Sequence, residues 1–362
     1  MATARATWGY RDRFGDGFGR TYFRRFGSGV VSSVGLGTYL GDPTDAVDDR
    51  YERALIAGLE GGCNVVDTAV NYRCGRSERV VGRAVERAGV DRDAVVVATK
   101  GGFLPFDGER PTDPAGYVRE RFVEDGPVDP ADLAAGYHCI APDAVEAMLD
   151  RSLDTLGVET IDCYYVHNPE TQLRVQPREA VYDQLEATFE RLERRVAAGD
   201  IDQYGVATWE AFRVPPGDDA HLSLPAVVDR ARSAAETVGN EASGFGAIQL
   251  PFNVHMADAF TVPAHEFEGE HRSALAVAHA LDLDVFTSAS LAQGDLASGL
   301  PAGVDAELSG DTPAQRAINF ARSAPGVTCA LVGASDPEHV DENVAAGTFD
   351  PLGARGFDAV FE

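Results

Sequence analysis

The sequence predicts a (β/α)8 barrel, and three observations predict it. Short apolar, strand-like runs occur eight times, amphipathic segments at helical spacing lie between them, and the two kinds alternate along most of the 362 residues. Such alternation implies right-handed βαβ units and a parallel sheet, which eight units most naturally close into a barrel. A doubly wound open sheet is the runner-up. It wants a G-x-G-x-x-G turn after an early strand, and Gly35-Leu36-Gly37 is too short to supply one.

Residues 1–19 form a polar leader that is expected to be poorly ordered, and 20–362 are expected to form a single barrel domain. Arg20 to Phe26, the turn Gly27-Ser28-Gly29, and Val30 to Val34 give a β-hairpin signal. The barrel strands are expected at Val34–Tyr39, Asn64–Thr68, Ala94–Lys100, Thr160–His167, Gln203–Trp209, Ala247–Phe252, Asp284–Ala289 and Thr328–Ala334. Helices are expected at Ser77–Ala88, with Val80, Val81, Ala84, Val85 and Ala88 on one face, and at Glu179–Ala198. Three connections exceed the usual ~2 to 6 residues. They are Gly101–Ile140, Glu210–Pro225 and Asn253–His271, long loops expected to overhang the C-terminal face of the barrel as walls or lids.

Acidic residues number 58 against 31 basic ones, a formal charge of -27. Phosphate would be repelled at long range, which argues against nucleic acid and against a basic membrane patch as partners. The excess reads as a solubility strategy and as halophilic adaptation to high salt. No apolar run approaches the ~20 residues of a membrane span, and Met1 to Tyr10 lacks the charged and apolar regions of a secretion signal. The five cysteines are widely spaced and contain no CxxC, so they read as reduced thiols in a cytoplasmic protein.

Lys100 is the only lysine among the 31 basic residues, and it ends the apolar run Val95–Lys100. A site that keeps lysine where arginine serves elsewhere needs a compact charge whose pKa burial can lower. In a barrel, catalytic side chains sit at the C-terminal ends of strands. The polar residues there are Asp67, Lys100, His167 and Gln249, with Tyr72 just after Asp67. An ammonium ~4 Å from a phenol, at an effective dielectric of ~20, is worth about 4 kcal/mol, which would bring the phenol toward ~7. That suits a general acid, with Asp67 as the partner of Lys100 and His167 holding a substrate oxygen. Taken singly, an Asp or His at a strand end is more often structural; four reactive types at one face reverse the odds.

The chain resembles the aldo/keto reductases. The matching segments are FRRFG (Phe23–Gly27), GLGTYLG (Gly35–Gly41), VVDTAVNY (Val65–Tyr72), SERVVGRAV (Ser77–Val85), VVVATKGG (Val95–Gly102), IDCYYVHNP (Ile161–Pro169), DQYGVATW (Asp202–Trp209), IQLPFN (Ile248–Asn253) and GVTCALVGASDPEHVDEN (Gly326–Asn343). The resemblance implies an Asp, Tyr, Lys, His tetrad at Asp67, Tyr72, Lys100 and His167. Tyr72 would be the proton donor in carbonyl reduction with NADP(H) or NAD(H), and a small carbonyl or alcohol compound would be the substrate. It places the cofactor against Gly37, Thr38, Asp67, Thr208, Gln249, Ser288, Leu291, Gly333, Ala334, His339, Glu342 and Asn343. Several positions depart from the family pattern. Ala207-Thr208 stands for the usual Ser-Asn pair, Ser288 for the aromatic that stacks on the nicotinamide, and Gly333 and His339 for the Lys and Arg of many members. Asp336, which with Ser335 is a candidate N-cap of the following helix, would repel a 2'-phosphate and accept a bond from a free 2'-hydroxyl, so NADH is expected to serve at least as well as NADPH.

Two other readings stay open. A nucleotide-binding relative that turns over slowly or serves regulation would fit the altered cofactor positions. A metal-dependent hydrolase using His138, Cys139, His167 and Asp67 is disfavoured, because no HxH pair occurs and a lysine beside Asp67 competes with a cation. The aromatics Phe103, Phe106, Tyr117, Phe122 and Tyr137 of the first long connection would suit a substrate with an apolar part, or a lid packed on itself.

Overall fold

The computed structural model describes residues 1–361. A hairpin of β1 (Phe23–Phe26) and β2 (Gly29–Ser32) comes first, paired antiparallel with Phe26 opposite Gly29. It is followed by the barrel strands β3 (Val34–Gly37), β4 (Val65–Asp67), β5 (Val96–Gly101), β6 (Ile161–His167), β7 (Ile201–Ala207) and β8 (Phe245–Pro251). A second short hairpin, β9 (His265–Phe267) with β10 (Glu270–Arg272), precedes the last two barrel strands, β11 (Asp284–Ser288) and β12 (Val327–Gly333). The barrel closes in the order β11-β12-β3-β4-β5-β6-β7-β8, with every pair parallel. Each of the eight apolar runs read from the sequence overlaps one of these strands.

Helices lie between the barrel strands and cover them. The helix Arg76–Arg87 buries Val80, Val81, Ala84 and Val85, and Arg178–Ala198 buries Val181, Leu185, Phe189 and Leu192, each within a residue of its expected bounds. The second stops at Gly199, which takes a left-handed conformation, φ 85°, and closes its N–H on the Arg195 carbonyl. The barrel interior is filled by Val65, Val96, Ala98, Cys163, Tyr165, Ala247, Phe286 and Cys329, and Phe26 of the hairpin plugs the N-terminal end against Phe286. Gly205 is needed for closure, since a Cβ there would lie 1.8 Å from the Ala247 carbonyl oxygen of the neighbouring strand.

The leader departs from expectation. Ala4–Phe14 is an α-helix, started by Thr3, whose hydroxyl accepts a bond from the Ala6 N–H at 3.2 Å. It docks through few residues: Tyr10 is buried and donates to the Leu59 carbonyl, and the Thr7 hydroxyl accepts from the Val30 N–H. Phe14 packs on Tyr10, and the outer face carries Arg5, Arg11, Asp12 and Arg13. Among the described residues no helix is long and apolar enough to cross a membrane, and all five cysteines are free.

Candidate active site

The C-terminal ends of the barrel strands open into one cavity of about 870 Å³, within the usual size for a ligand site. Gly37, Asp67, His167, Ala207, Gln249, Ser288 and Gly333 reach it from seven different strands. Of the three long connections, only Gly101–Ile140 supplies wall residues, among them Phe103, Phe106, Arg110 and Tyr137. Glu210–Pro225 and Asn253–His271 follow the C-terminal ends of β7 and β8 but line no part of the cavity. They pack on one another, through Arg213 and Asp258 at 2.9 Å, the His221 ring on the Ala264 carbonyl and the His265 ring on the Phe212 carbonyl. The opposite wall comes instead from the short loop Ser288–Leu291 with Gln293 and Gly294.

At the centre lies an ion pair. Lys100 Nζ donates to Asp67 Oδ1 at 2.5 Å and to the Thr68 carbonyl at 2.8 Å, and Gln249 Nε2 donates to Asp67 Oδ2 at 2.8 Å. Lys100 is fully buried behind the cavity wall, and burial lowers its ammonium below the ordinary lysine value while Asp67 opposes that. Tyr72 is half-buried on the wall, with Lys100 Nζ 5.1 Å from its ring centroid and the His167 ring centroid 6.0 Å away. Its phenol is not acidified. Burial, with Asp67 adding to it, holds the phenol well above its ordinary value. The expectation of a value near 7 counted the ammonium alone and left out burial, the larger cause, and the opposing Asp67 carboxylate.

Tyr72 owes its position to a turn. Arg73 and Cys74 both take left-handed conformations, φ 49° and 59°, which cost of order 1 kcal/mol or more each in non-glycine residues. The turn is held because the buried Arg73 guanidinium binds the Asp48 carboxylate and, at 3.1 Å, the Asp42 carbonyl. His167 is set by a chain that sequence reasoning missed. His138 Nε2 donates to the His167 carbonyl at 2.7 Å, and Gln172 Nε2 donates to His138 Nδ1 at 2.9 Å, which fixes the tautomer. The His167 ring stands edge-on to Phe103 at 4.9 Å, and burial, with Lys100 and His138 adding to it, drives its imidazole well below the ordinary value. It is neutral at physiological pH. Glu170, also unforeseen, accepts bonds from the Trp209 and Glu210 N–H groups at 2.7 and 3.0 Å and so fixes the loop that carries Thr208.

Gly37, Thr38, Asp67, Thr208, Gln249, Ser288, Leu291 and Gly333 all line the cavity. Ala334, His339, Glu342 and Asn343 lie outside its wall, on the turn after β12 and the helix Pro337–Ala345, where His339 is exposed and Asn343 buried. Asp336 caps that helix, accepting from the Glu338 N–H at 3.0 Å. The aromatics divide: Phe103, Phe106 and Tyr137 line the cavity, while Tyr117 and Phe122 pack behind Phe106. Four buried polar atoms on the wall have no protein partner, Thr208 Oγ1, Ser290 Oγ, Asn71 Oδ1 and His167 Nδ1. Unpaired buried groups on a cavity wall fit a polar ligand that completes them. Among the described residues no three His, Cys, Asp or Glu side chains gather as a metal-binding group, and both ring nitrogens of His138 are engaged.

The aldo/keto reductase family model matches residues 33–218. Across 338 residues the chain is 24% identical to a Schizosaccharomyces pombe protein that carries the name of a voltage-gated potassium channel subunit beta, covering 88% of this chain and 85% of that one. It is 28% identical over 197 residues to an aldo-keto reductase of Mycobacterium sp. (strain KMS), a match spanning 54% of this chain and 53% of that relative. In three dimensions it resembles an aldo-keto reductase from Klebsiella pneumoniae solved in complex with NADPH, with a TM-score of 0.59, 22% identity and 94% of each chain covered. The chain belongs to the aldo/keto reductase family.

Proposed function

We propose that the protein is an NAD(P)H-dependent oxidoreductase that reduces the carbonyl of an aldehyde, ketone or sugar to the alcohol, or runs the reverse reaction, with Tyr72 as proton donor. The observation that carries the reading is the meeting of Tyr72, His167 and the Asp67–Lys100 pair at one end of one cavity. A nicotinamide cofactor bound there supplies the hydride. Gln249, Ser288 and Thr208 would hold its carboxamide and ring, with Gly37, Thr38, Leu291 and Gly333 along the rest of the wall. The carbonyl oxygen gains the π pair as its carbon is reduced, and the neutral His167 imidazole hydrogen-bonds that oxygen. Tyr72 then transfers its phenolic proton to the alkoxide. A raised phenol is no obstacle: it keeps Tyr72 protonated at every working pH, and an alkoxide is a far stronger base than a phenolate. The Lys100 ammonium, paired with Asp67, lies over the Tyr72 ring as charge develops there.

NADH serves at least as well as NADPH on this reading, because the exposed carboxylate of Asp336, on the turn expected to meet the ribose end of the cofactor, repels a 2'-phosphate. The acidic charge supports work at high salt, and the five free thiols support a cytoplasmic setting. The test is a titration with NADH and NADPH at multimolar salt, followed by a panel of aldehydes, ketones and sugars. Nucleotide binding with turnover supports the reductase. A second reading, a nucleotide-binding regulatory protein with slow turnover, draws on Ser288 and Ala207-Thr208 and on the name of the Schizosaccharomyces pombe relative; it is favoured by tight nucleotide binding with no cofactor oxidation across the panel.

A further inference from the structure

We infer, as an extension that rests on the reductase reading, that Arg110 selects carbonyl substrates bearing an anionic group, a carboxylate or a phosphate. The chain has 58 acidic residues, yet among the described residues Asp67 is the only one on the cavity wall, and its carboxylate is taken by Lys100 and Gln249. The only other charge on the wall is Arg110. It is exposed, and among the described residues it makes no ion pair; Asp107, three residues earlier, is bound by Arg79 and Arg151 instead. In a protein of charge -27 a guanidinium without an ion pair, at the mouth of a cavity whose only carboxylate is already paired, is a local reversal of sign. Low-dielectric walls focus such a field on the ligand that enters.

Arg110 also stands on the substrate side. It belongs to the same connection as Phe103, which touches His167, and as Phe106 and Tyr137, whereas Leu291 and Gly333 lie on the opposite wall. Around it the rim is apolar: Tyr39, Tyr137 and Trp209 line the cavity while remaining 58%, 47% and 42% exposed. A carbonyl compound with a flat or apolar body and an anionic tail satisfies both features, the body against the aromatic rim and the tail on the guanidinium fork.

The experiment compares kcat/KM for matched pairs at one fixed ionic strength. The pairs are para-carboxybenzaldehyde against para-formylbenzamide and glyceraldehyde phosphate against glyceraldehyde, each with the wild type, Arg110→Gln and Arg110→Lys. A preference for the charged member of either pair is expected, falling about tenfold in Arg110→Gln, as for a charge-assisted hydrogen bond, and largely kept in Arg110→Lys. Which pair shows it separates carboxylate from phosphate. Equal ratios in wild type and Arg110→Gln overturn the inference and leave the reductase reading intact. So does a loss of nucleotide affinity in Arg110→Gln with the ratios unchanged, which would give the cation to the cofactor phosphates. Should no aldehyde, ketone or sugar turn over, terephthalate binding by tryptophan fluorescence decides: binding that depends on Arg110 keeps the anion site and sinks the reductase reading, and binding that does not depend on it, or no binding, sinks both.

Discussion

Lys100 Nζ lies 2.5 Å from Asp67 Oδ1, and both groups are buried. What Tyr72 experiences is therefore an ion pair rather than a bare cation, and the phenol remains protonated until an alkoxide takes its proton. The same contact makes the pair fragile to single changes.

Replacing Lys100 by Met leaves Asp67 as a buried carboxylate without its cation. Breaking such a pair costs roughly 3–5 kcal/mol, so urea unfolding of Lys100→Met is expected to show a loss of that order. The double variant Lys100→Met/Asp67→Asn should recover part of the stability and none of the activity. Full stability in the single variant would contradict the pair.

Gly102 has φ 148°, and a Cβ there would lie 2.7 Å from the His167 carbonyl oxygen and 3.2 Å from His138 Nε2, the two ends of the bond that sets His167. Gly102→Ala is expected to cost about 1–3 kcal/mol of stability and to lower kcat/KM more than tenfold by displacing His167. Thermal melts with steady-state kinetics check it; unchanged kinetics would show that the His138 bond does not position His167.

Burial pulls the His138 imidazole from 6.5 to about 4, and His265 likewise. Between those values the unfolded chain binds more protons, so the stability from keeping these rings neutral is complete above pH 6.5 and is lost as pH falls toward 4. Asp284 acts in the opposite sense: burial pushes its carboxyl from 3.8 to about 6, a contribution present at low pH that is lost as pH rises through 6. The melting temperature of His138→Asn should consequently fall less steeply than that of the wild type between pH 6.5 and 4. Parallel curves would contradict the buried neutral state of His138.

The formal charge of -27 predicts weakening at low salt through self-repulsion. Melting temperature should climb as KCl rises from millimolar to molar. A flat response would show that the many surface pairs, such as Arg230 with Glu186 and Asp183, already neutralise the field.

The barrel was legible because its strands are near-continuous apolar runs bounded by polar ends, as in Val95–Lys100 and Ile161–His167. The helix Ala4–Phe14 was not, since it buries only Thr7 and Tyr10 fully and its few apolar residues are interleaved with Arg5, Arg11, Asp12 and Arg13. The meeting of Asp67, Lys100, Tyr72 and His167 followed from strand order, which places β4, β5 and β6 side by side. The roles of His138, Gln172 and Glu170 were hidden because they sit in irregular connections, where spacing carries no information about which side chains meet. The direction of the Tyr72 shift was missed because burial of the phenol, the larger cause, and the Asp67 charge were both left out of the balance.

The role of Tyr72 is tested most directly by Tyr72→Phe, which removes one oxygen from the cavity wall. Oxidation of NADPH or NADH by a substrate of the wild-type enzyme should disappear in the variant while the nucleotide dissociation constant stays nearly the same; undiminished oxidation would contradict the account.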